Sequence, residues 1–255
     1  MKSKLTISLV VFVVYAFIIL YLPRLFSPHV QQSQSDFASS GISYVHFVAI
    51  AFLLGFVLIA GWRRDVGLKM PRPGTNWLIL WLPVLLIVLF FSLGLVLGFK
   101  SGPAMMYAAI NMIAVGIGEE LAFRGVVFAG ARSQFRTWGA IVFAAVVFGA
   151  IHVMNGFGTG DFVKSSVQAV SATLSGFLFI AILIRTGSLI PGMVIHFLWD
   201  WSIFASSTQH DSDAGNESSG IVKILLPILF VLPNFLYALW LLRGVGSIKS
   251  EDLLD

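Results

Sequence analysis

Long apolar blocks constrain this chain more than any other feature of its sequence. Windows of about 19 apolar residues predict membrane-spanning helices, and a bilayer core favours helices because each backbone N–H and C=O then finds its partner within one segment. Eight such helices are predicted, at residues 6–22, 42–62, 77–99, 104–131, 138–155, 165–185, 188–205 and 221–242. The sequence therefore predicts an all-α polytopic membrane protein.

The overall composition favours the same class of protein. The chain has 255 residues, of which 58% are hydrophobic and 11% charged, whereas soluble domains carry about a quarter charged residues. The connections between the predicted helices are short and polar, so residues 1–255 are expected to form a single integral-membrane domain. The absence of cysteine excludes disulfides and thiolate metal ligands. Nothing in the sequence indicates a nucleic-acid partner, and the lipid bilayer is the expected surrounding.

The basic residues between the predicted helices indicate an orientation. With a cytoplasmic N-terminus, the inside segments hold eleven Lys and Arg residues and the outside segments hold four. The inside residues are Lys2, Lys4, Arg63, Arg64, Lys69, Arg72, Arg132, Arg136, Arg185, Arg243 and Lys249, and the outside residues are Arg24, Lys100, Lys164 and Lys223. Because cytoplasmic loops carry the excess of basic residues, we predict a multi-pass protein of the cell membrane with both termini in the cytoplasm.

Six ionisable residues fall inside the predicted spans. They are Glu119, Glu120, Arg124, His152, His196 and Asp200. Each unpaired charge at the bilayer centre costs at least ~2.5–3.5 kcal/mol on insertion scales, so such residues usually mark function or a paired network. At ~1.5 Å per residue, the two histidines, Glu119 and Asp200 all lie about 16–24 Å from the cytoplasmic helix ends. Side chains from three helices are therefore predicted to meet at one depth.

The spacing of the acidic and basic residues on the fourth predicted helix suggests separate roles. Glu120 and Arg124 are four residues apart with the acid first, which is the favoured order for an ion pair on a helix. Glu119 is rotated by about 100° from Glu120. We therefore expect Glu120 to neutralise Arg124 and Glu119 to remain available for other partners.

The fifth and seventh predicted helices repeat the four-residue spacing. Phe148 and His152 share one helical face with Asn155, and His196 shares a face with Asp200. One polar face on each of three helices, at a similar depth, predicts a polar cavity inside the bundle.

Two kinds of water chemistry suit these residue types. In the first, His152, His196 and Glu119 bind a divalent metal such as zinc, and a water occupies the open position. In the second, no metal takes part: Glu119 and His152 hold and deprotonate a water, while His196 and Asp200 stabilise the oxyanion. An ionised Asp200 only accepts hydrogen bonds, so it could instead orient His196. The residues leave both alternatives open.

Two further classes of protein also accommodate a buried layer of carboxylates and histidines. Such a layer can carry protons or ions in a transporter, although no internal repeat of the kind found in many transporters is visible. A non-catalytic immunity or scaffold protein would keep the same cluster for packing.

Three motifs in a fixed order resemble a known family. They are EELAFR from Glu119 to Arg124, FGAIH from Phe148 to His152, and HFLWD from His196 to Asp200. In order and separation they resemble the CAAX protease and bacteriocin-processing family, abbreviated CPBP and also called Abi. The resemblance covers about residues 105–205, which it identifies as the catalytic core. It implies an intramembrane endopeptidase that acts on a prenylated or leader-type peptide close to the membrane surface.

The resemblance also implies individual roles. Glu119 would activate the water with His152 as its partner, and His196 with Asp200 would face the transition state. Glu120, Arg124, Phe148 and Asn155 would support them. Eukaryotic members usually carry Asn where this chain has Asp200. Family members are described both as metalloproteases and as metal-free glutamate proteases, so zinc and a metal-free mechanism are both compatible with the resemblance.

Overall fold

The computed structural model describes residues 3–26, 38–98, 102–206 and 220–254. This part of the chain is helical and contains no β-strand. Its helices are α1 (Lys4–Phe26), α2 (Tyr44–Ile59), α3 (Trp81–Leu97), α4 (Pro103–Glu119), α5 (Phe128–Arg132), α6 (Thr137–His152), α7 (Phe162–Thr186), α8 (Leu189–Ser206) and α9 (Gly220–Leu241). A 3₁₀ turn (Trp77–Leu80) leads into α3, and a π-helix (Glu120–Val127) joins α4 to α5. A 3₁₀ turn (Val153–Asn155) and one α-helical turn (Gly156–Thr159) follow α6.

The helices have the lengths and surfaces of a membrane protein. In the described part of the chain, six of them are long and apolar enough to cross a membrane: Lys4–Pro23, Trp77–Leu97, Thr137–Thr159, Phe162–Thr186, Leu189–Ser206 and Ile224–Leu241. Large apolar side chains such as Leu85, Leu89 and Val96 are exposed on the outer face of α3, where lipid would solvate them. The predicted all-α polytopic membrane fold is confirmed, and within the described ranges six helices, against the eight predicted, meet the length and apolarity of a span.

Two predicted helices differ from the observed ones for local reasons. The helix predicted at 42–62 ends at Ile59, because Gly61 adopts a left-handed backbone conformation (φ 71°) that commonly ends helices. The helix predicted at 104–131 is helical throughout but changes to π geometry at Glu120. Residue 99, Lys2 and Lys100, on which parts of the span and orientation predictions depend, lie outside the described residues.

Helix α7 forms the centre of one half of the bundle. Its first turn is capped by Asp161, whose side chain accepts a hydrogen bond from the Lys164 backbone N–H at 2.8 Å. It ends at Gly187, which takes the left-handed conformation favoured after a helix. Between these signals, α7 packs against α6 on one side and α9 on the other.

The two ends of the chain meet at the same end of the bundle. Lys4 of α1 forms an ion pair with Asp65, which follows α2, at 2.8 Å. Arg132 at the end of α5 donates hydrogen bonds to the backbone C=O groups of both Asp65 and Ser250. Lys69 donates to the C=O of Leu254 at 2.7 Å. The segments next to the two termini therefore lie at one end of the bundle.

We expect Gly149→Ala to destabilise the packing of α6 against α7. A Cβ at this position would lie 2.5 Å from the Ala169 backbone oxygen, so the two helices would have to separate. Overpacking of this kind costs about 1–3 kcal/mol, and thermal unfolding in detergent should show a clear decrease in Tm. Gly55→Ala is the matched control, because nothing lies within 4 Å of its Cβ. Equal melting temperatures for the two variants would contradict the proposed steric role of Gly149.

Candidate active site

The π-helix lies at the centre of the bundle. All eight of its residues, from Glu120 to Val127, are buried, and it contacts α1, α2, α6, α7 and α8 as well as its chain neighbours. A π-helix is rare and often occurs at functional sites. Here it brings one acidic and one basic side chain into the most enclosed part of the fold. No sequence signal predicted it.

The Glu120 carboxylate on the π-helix contacts two partners, Arg124 and His196. Oε1 of Glu120 lies 3.1 Å from Nη1 of Arg124, and both side chains are almost fully buried. The predicted ion pair is therefore present. The same Oε1 accepts a hydrogen bond from Nδ1 of His196 at 2.8 Å, a contact that the sequence did not predict. Glu120 thereby connects the π-helix to α8.

Two phenylalanines enclose the buried cation and the imidazole. The Arg124 guanidinium carbon lies 3.8 Å from the ring centroid of Phe148 and 4.9 Å from that of Phe179. Phe179 also stacks on the His196 ring at 4.7 Å. Cation–π contacts of this kind are strongest when both groups are shielded from water. Phe148 was a predicted supporting residue, whereas Phe179 was missed because it belongs to an unbroken apolar run.

The other side of His196 faces two further carboxylates. Nε2 lies 3.6 Å from Oε2 of Glu119 and 3.5 Å from Oδ2 of Asp200. The side chains of Glu119 and Asp200 are 17% and 32% exposed, whereas that of His196 is 5% exposed. The imidazole therefore separates a closed side, with Glu120 and Arg124, from a more open side on which the carboxylates of Glu119 and Asp200 are partly exposed.

His152 is held in one ring orientation at the edge of the same site. Its Nδ1 donates to the C=O of Phe148 at 2.8 Å, so in the neutral ring Nε2 is left as a hydrogen-bond acceptor. The Phe148 ring lies 4.9 Å from the His152 ring and 6.1 Å from the His196 ring. Glu119 and His152 lie within electrostatic range of each other. Asn155, the remaining supporting residue, donates to Gln168 of α7 at 3.0 Å.

Glycines allow α4 and the π-helix to approach α8 closely. A Cβ on Gly116 would lie 3.0 Å from the Phe197 backbone nitrogen and 3.1 Å from the Met193 oxygen. A Cβ on Gly192 would lie 3.3 Å from Oε2 of Glu120. Because Glu119 follows Gly116 by about one helical turn, this close approach fixes the separation between the carboxylate on α4 and the imidazole on α8.

The arrangement of the described side chains bears on whether this site holds a metal ion. Within the described ranges, no group of three His, Cys, Asp or Glu side chains is arranged to hold a metal ion. The imidazole of His196 donates from Nδ1 to Glu120 and presents Nε2 to two carboxylates, an environment that favours an N–H rather than a lone pair at Nε2. Among the described side chains, Glu119, His152 and His196 are thus not gathered into a three-ligand group, and no step below passes through a metal.

The structure places a buried imidazole between carboxylates inside an all-helical membrane bundle. These two features together define a class of membrane proteins that carry a polar site among their helices. A family model described as type II CAAX prenyl endopeptidase, Rce1-like, matches residues 101–202. The resemblance to the CAAX protease family predicted from the three motifs is thus confirmed, and the match supports intramembrane protease activity. Comparisons with curated proteins and with solved structures gave no match.

Proposed function

We propose that this protein is an intramembrane endopeptidase that hydrolyses a peptide bond by means of a water activated by Glu119 and His152. The observation that carries the proposal is the arrangement around His196, which has a buried carboxylate on Nδ1 and two accessible carboxylates near Nε2. The match to an Rce1-like endopeptidase family over residues 101–202 supports the same reaction class.

The substrate class follows from the position of the site and from the family. Side chains within a membrane bundle reach peptides that are themselves attached to the membrane, so we propose a prenylated or leader-type peptide as substrate. We assign the catalytic core to residues 105–205. On the basis of the positive-inside rule, we further propose that the protein resides in the cell membrane with cytoplasmic termini.

The proposed chemistry begins at the open side of His196. A water between Glu119 and His152 loses a proton to the Glu119 carboxylate as its oxygen attacks the scissile carbonyl carbon. Nε2 of His152 accepts a hydrogen bond from the same water, because its Nδ1 is already committed to the Phe148 carbonyl. When the tetrahedral intermediate collapses, the protonated Glu119 returns its proton to the leaving amine.

His196 faces the developing negative charge in this scheme. The N–H at Nε2 donates to the oxyanion, and Glu120 keeps the ring oriented through Nδ1. Asp200 lies 3.5 Å from Nε2 and, as an acceptor, favours the protonated state of this nitrogen. Arg124 neutralises Glu120, so the positioning carboxylate is not left as an isolated charge in the core.

Cleavage by purified protein in detergent, measured on a prenylated model peptide and on a leader-type peptide, tests the proposal. We expect His152→Ala and His196→Ala each to reduce the rate by about 10²-fold or more without preventing membrane insertion. His46→Ala is the matched control, because His46 is bonded to Ser43 near the start of α2, away from the site. Wild-type turnover by both His152→Ala and His196→Ala would exclude the assigned roles.

Elemental analysis of the same sample tests whether the protein contains a metal ion. We expect cleavage to persist in the presence of a chelator, since the side chains of the described ranges form no three-ligand group. About one metal per chain, removable by chelator with loss of activity, would replace this mechanism with the zinc alternative. If folded wild-type protein cleaves neither peptide, the proposed substrate class is wrong.

A further inference from the structure

A cavity lies at the end of the bundle where the segments next to the two termini pack. It has a volume of about 400 Å³ and is formed by the end of α7, by Arg72 from the connection between α2 and α3, and by the segment that follows α9. Its lining includes Arg72, Arg185 and Arg243, against one acidic residue, Asp252. It shares no residue with the site around His196. Three positive charges and one negative charge give this lining a net charge of +2.

The arginines use only part of their hydrogen-bonding capacity for the fold. Arg185 donates from Nε to the C=O of Leu241 and from Nη2 to the C=O of Arg243. The side chain of Arg243 donates from Nε to the C=O of Trp240 at 3.1 Å. The hydrogen bonds within the described part of the chain leave Nη1 of Arg185 and both Nη atoms of Arg243 without an acceptor.

Arg72 has the same surplus of donors. Its Nη2 donates to the C=O of Leu253 at 3.4 Å, while its Nε is buried without a hydrogen-bond partner. Among the described residues, no carboxylate lies within ion-pair distance of Arg72, Arg185 or Arg243. The cavity therefore combines three guanidinium groups that donate to neutral carbonyls and form no ion pair with a carboxylate in the described part of the chain.

Aromatic side chains place this cavity at the level of the lipid headgroups. Trp240 is 52% exposed, with the Arg243 guanidinium 4.7 Å from its ring, and it stacks on Tyr237 at 5.6 Å. Trp81, which is 53% exposed, makes an edge-to-face contact with Tyr237 at 5.9 Å. Exposed Trp and Tyr residues at the ends of membrane helices lie at the membrane–water interface. Arg243 links the cavity to this aromatic group through its contact with Trp240.

We propose that this cavity binds the phosphate group of an anionic phospholipid headgroup. The planar fork of arginine matches phosphate geometry, and basic pockets between helices at the membrane surface recognise anionic headgroups. The volume is in the range of small-ligand sites, and the exposed aromatic residues allow the acyl chains to remain in the bilayer. This binding does not depend on proteolytic activity.

Lipid retention by the purified full-length protein tests this site. The protein is exchanged into neutral detergent containing equal amounts of phosphatidylglycerol and phosphatidylcholine, and the bound lipid is quantified by mass spectrometry. We expect phosphatidylglycerol to be retained preferentially, and Arg243→Gln to weaken its retention about five-fold, the effect of one basic residue near an anionic surface. Arg64→Gln is the matched control, since it removes an exposed arginine that does not line the cavity.

The same experiment also has outcomes that would contradict the proposed lipid site. Equal retention of the two lipids by wild-type protein, or equal retention of phosphatidylglycerol by the Arg243→Gln and Arg64→Gln variants, would overturn the proposal. A separate sample receives inorganic phosphate in place of lipid. An Arg243-dependent increase in Tm with millimolar phosphate, together with no preference for phosphatidylglycerol, would identify free phosphate as the ligand and exclude the lipid headgroup.

Discussion

Glu119→Gln is expected to reduce peptide cleavage by about 10²–10⁴-fold, the usual contribution of a general base, while leaving the fold intact. Glutamine has nearly the same shape but cannot take a proton from water. Glu119 is partly exposed, and its contact with His196 is long, at 3.6 Å. Its replacement therefore leaves no tightly bound buried partner without a hydrogen bond, so Tm in detergent should remain close to that of the wild type.

The control for this experiment is Glu251→Gln, which removes a carboxylate from an exposed position near the C-terminal end of the chain. It should cleave at the wild-type rate. If Glu119→Gln also cleaves at that rate, Glu119 is not the base and the glutamate mechanism is wrong. The same pair distinguishes a protease from a scaffold, because a scaffold would keep its function in both variants.

Features that depend on local spacing could be predicted from the sequence. The lengths of the apolar blocks predicted the helices, because a helix satisfies its own backbone hydrogen bonds in lipid. The four-residue spacing predicted the pairing of Glu120 with Arg124, which the structure confirms at 3.1 Å. The presence of charges in these blocks predicted a polar layer, and the structure brings Glu119, His196 and Asp200 together.

Features that depend on packing between distant segments could not be predicted in this way. The hydrogen bond from His196 to Glu120 joins residues 76 positions apart, and no local sequence pattern predicts it. The π-helix depends on its burial among five other helices. Phe179 packs against Arg124, but it lies in an unbroken apolar run, so no sequence pattern distinguishes it from its neighbours. Leu253 and Leu254 were outside every predicted span, yet both are buried against the end of the bundle.

Arg124→Ala is expected to destabilise the protein by about 3–5 kcal/mol, the effect of breaking a buried ion pair from one side. Glu120 would remain fully buried with its charge opposed only by its hydrogen bond to His196. The substitution also removes the guanidinium from the face of Phe148 and leaves a cavity among α6, α7 and the π-helix. The yield of folded protein and Tm in detergent should both decrease strongly.

Removing both charges distinguishes the effect of the broken ion pair from the effect of lost side-chain volume. The double variant Glu120→Gln, Arg124→Met keeps much of the side-chain volume and leaves no unpaired charge. We expect it to regain part of the lost stability, since neutral replacements of buried pairs are often tolerated. It should still cleave poorly, because the Nδ1 of His196 would then donate to a neutral amide. An Arg124→Ala variant with wild-type yield and Tm would show that this pair does not stabilise the π-helix.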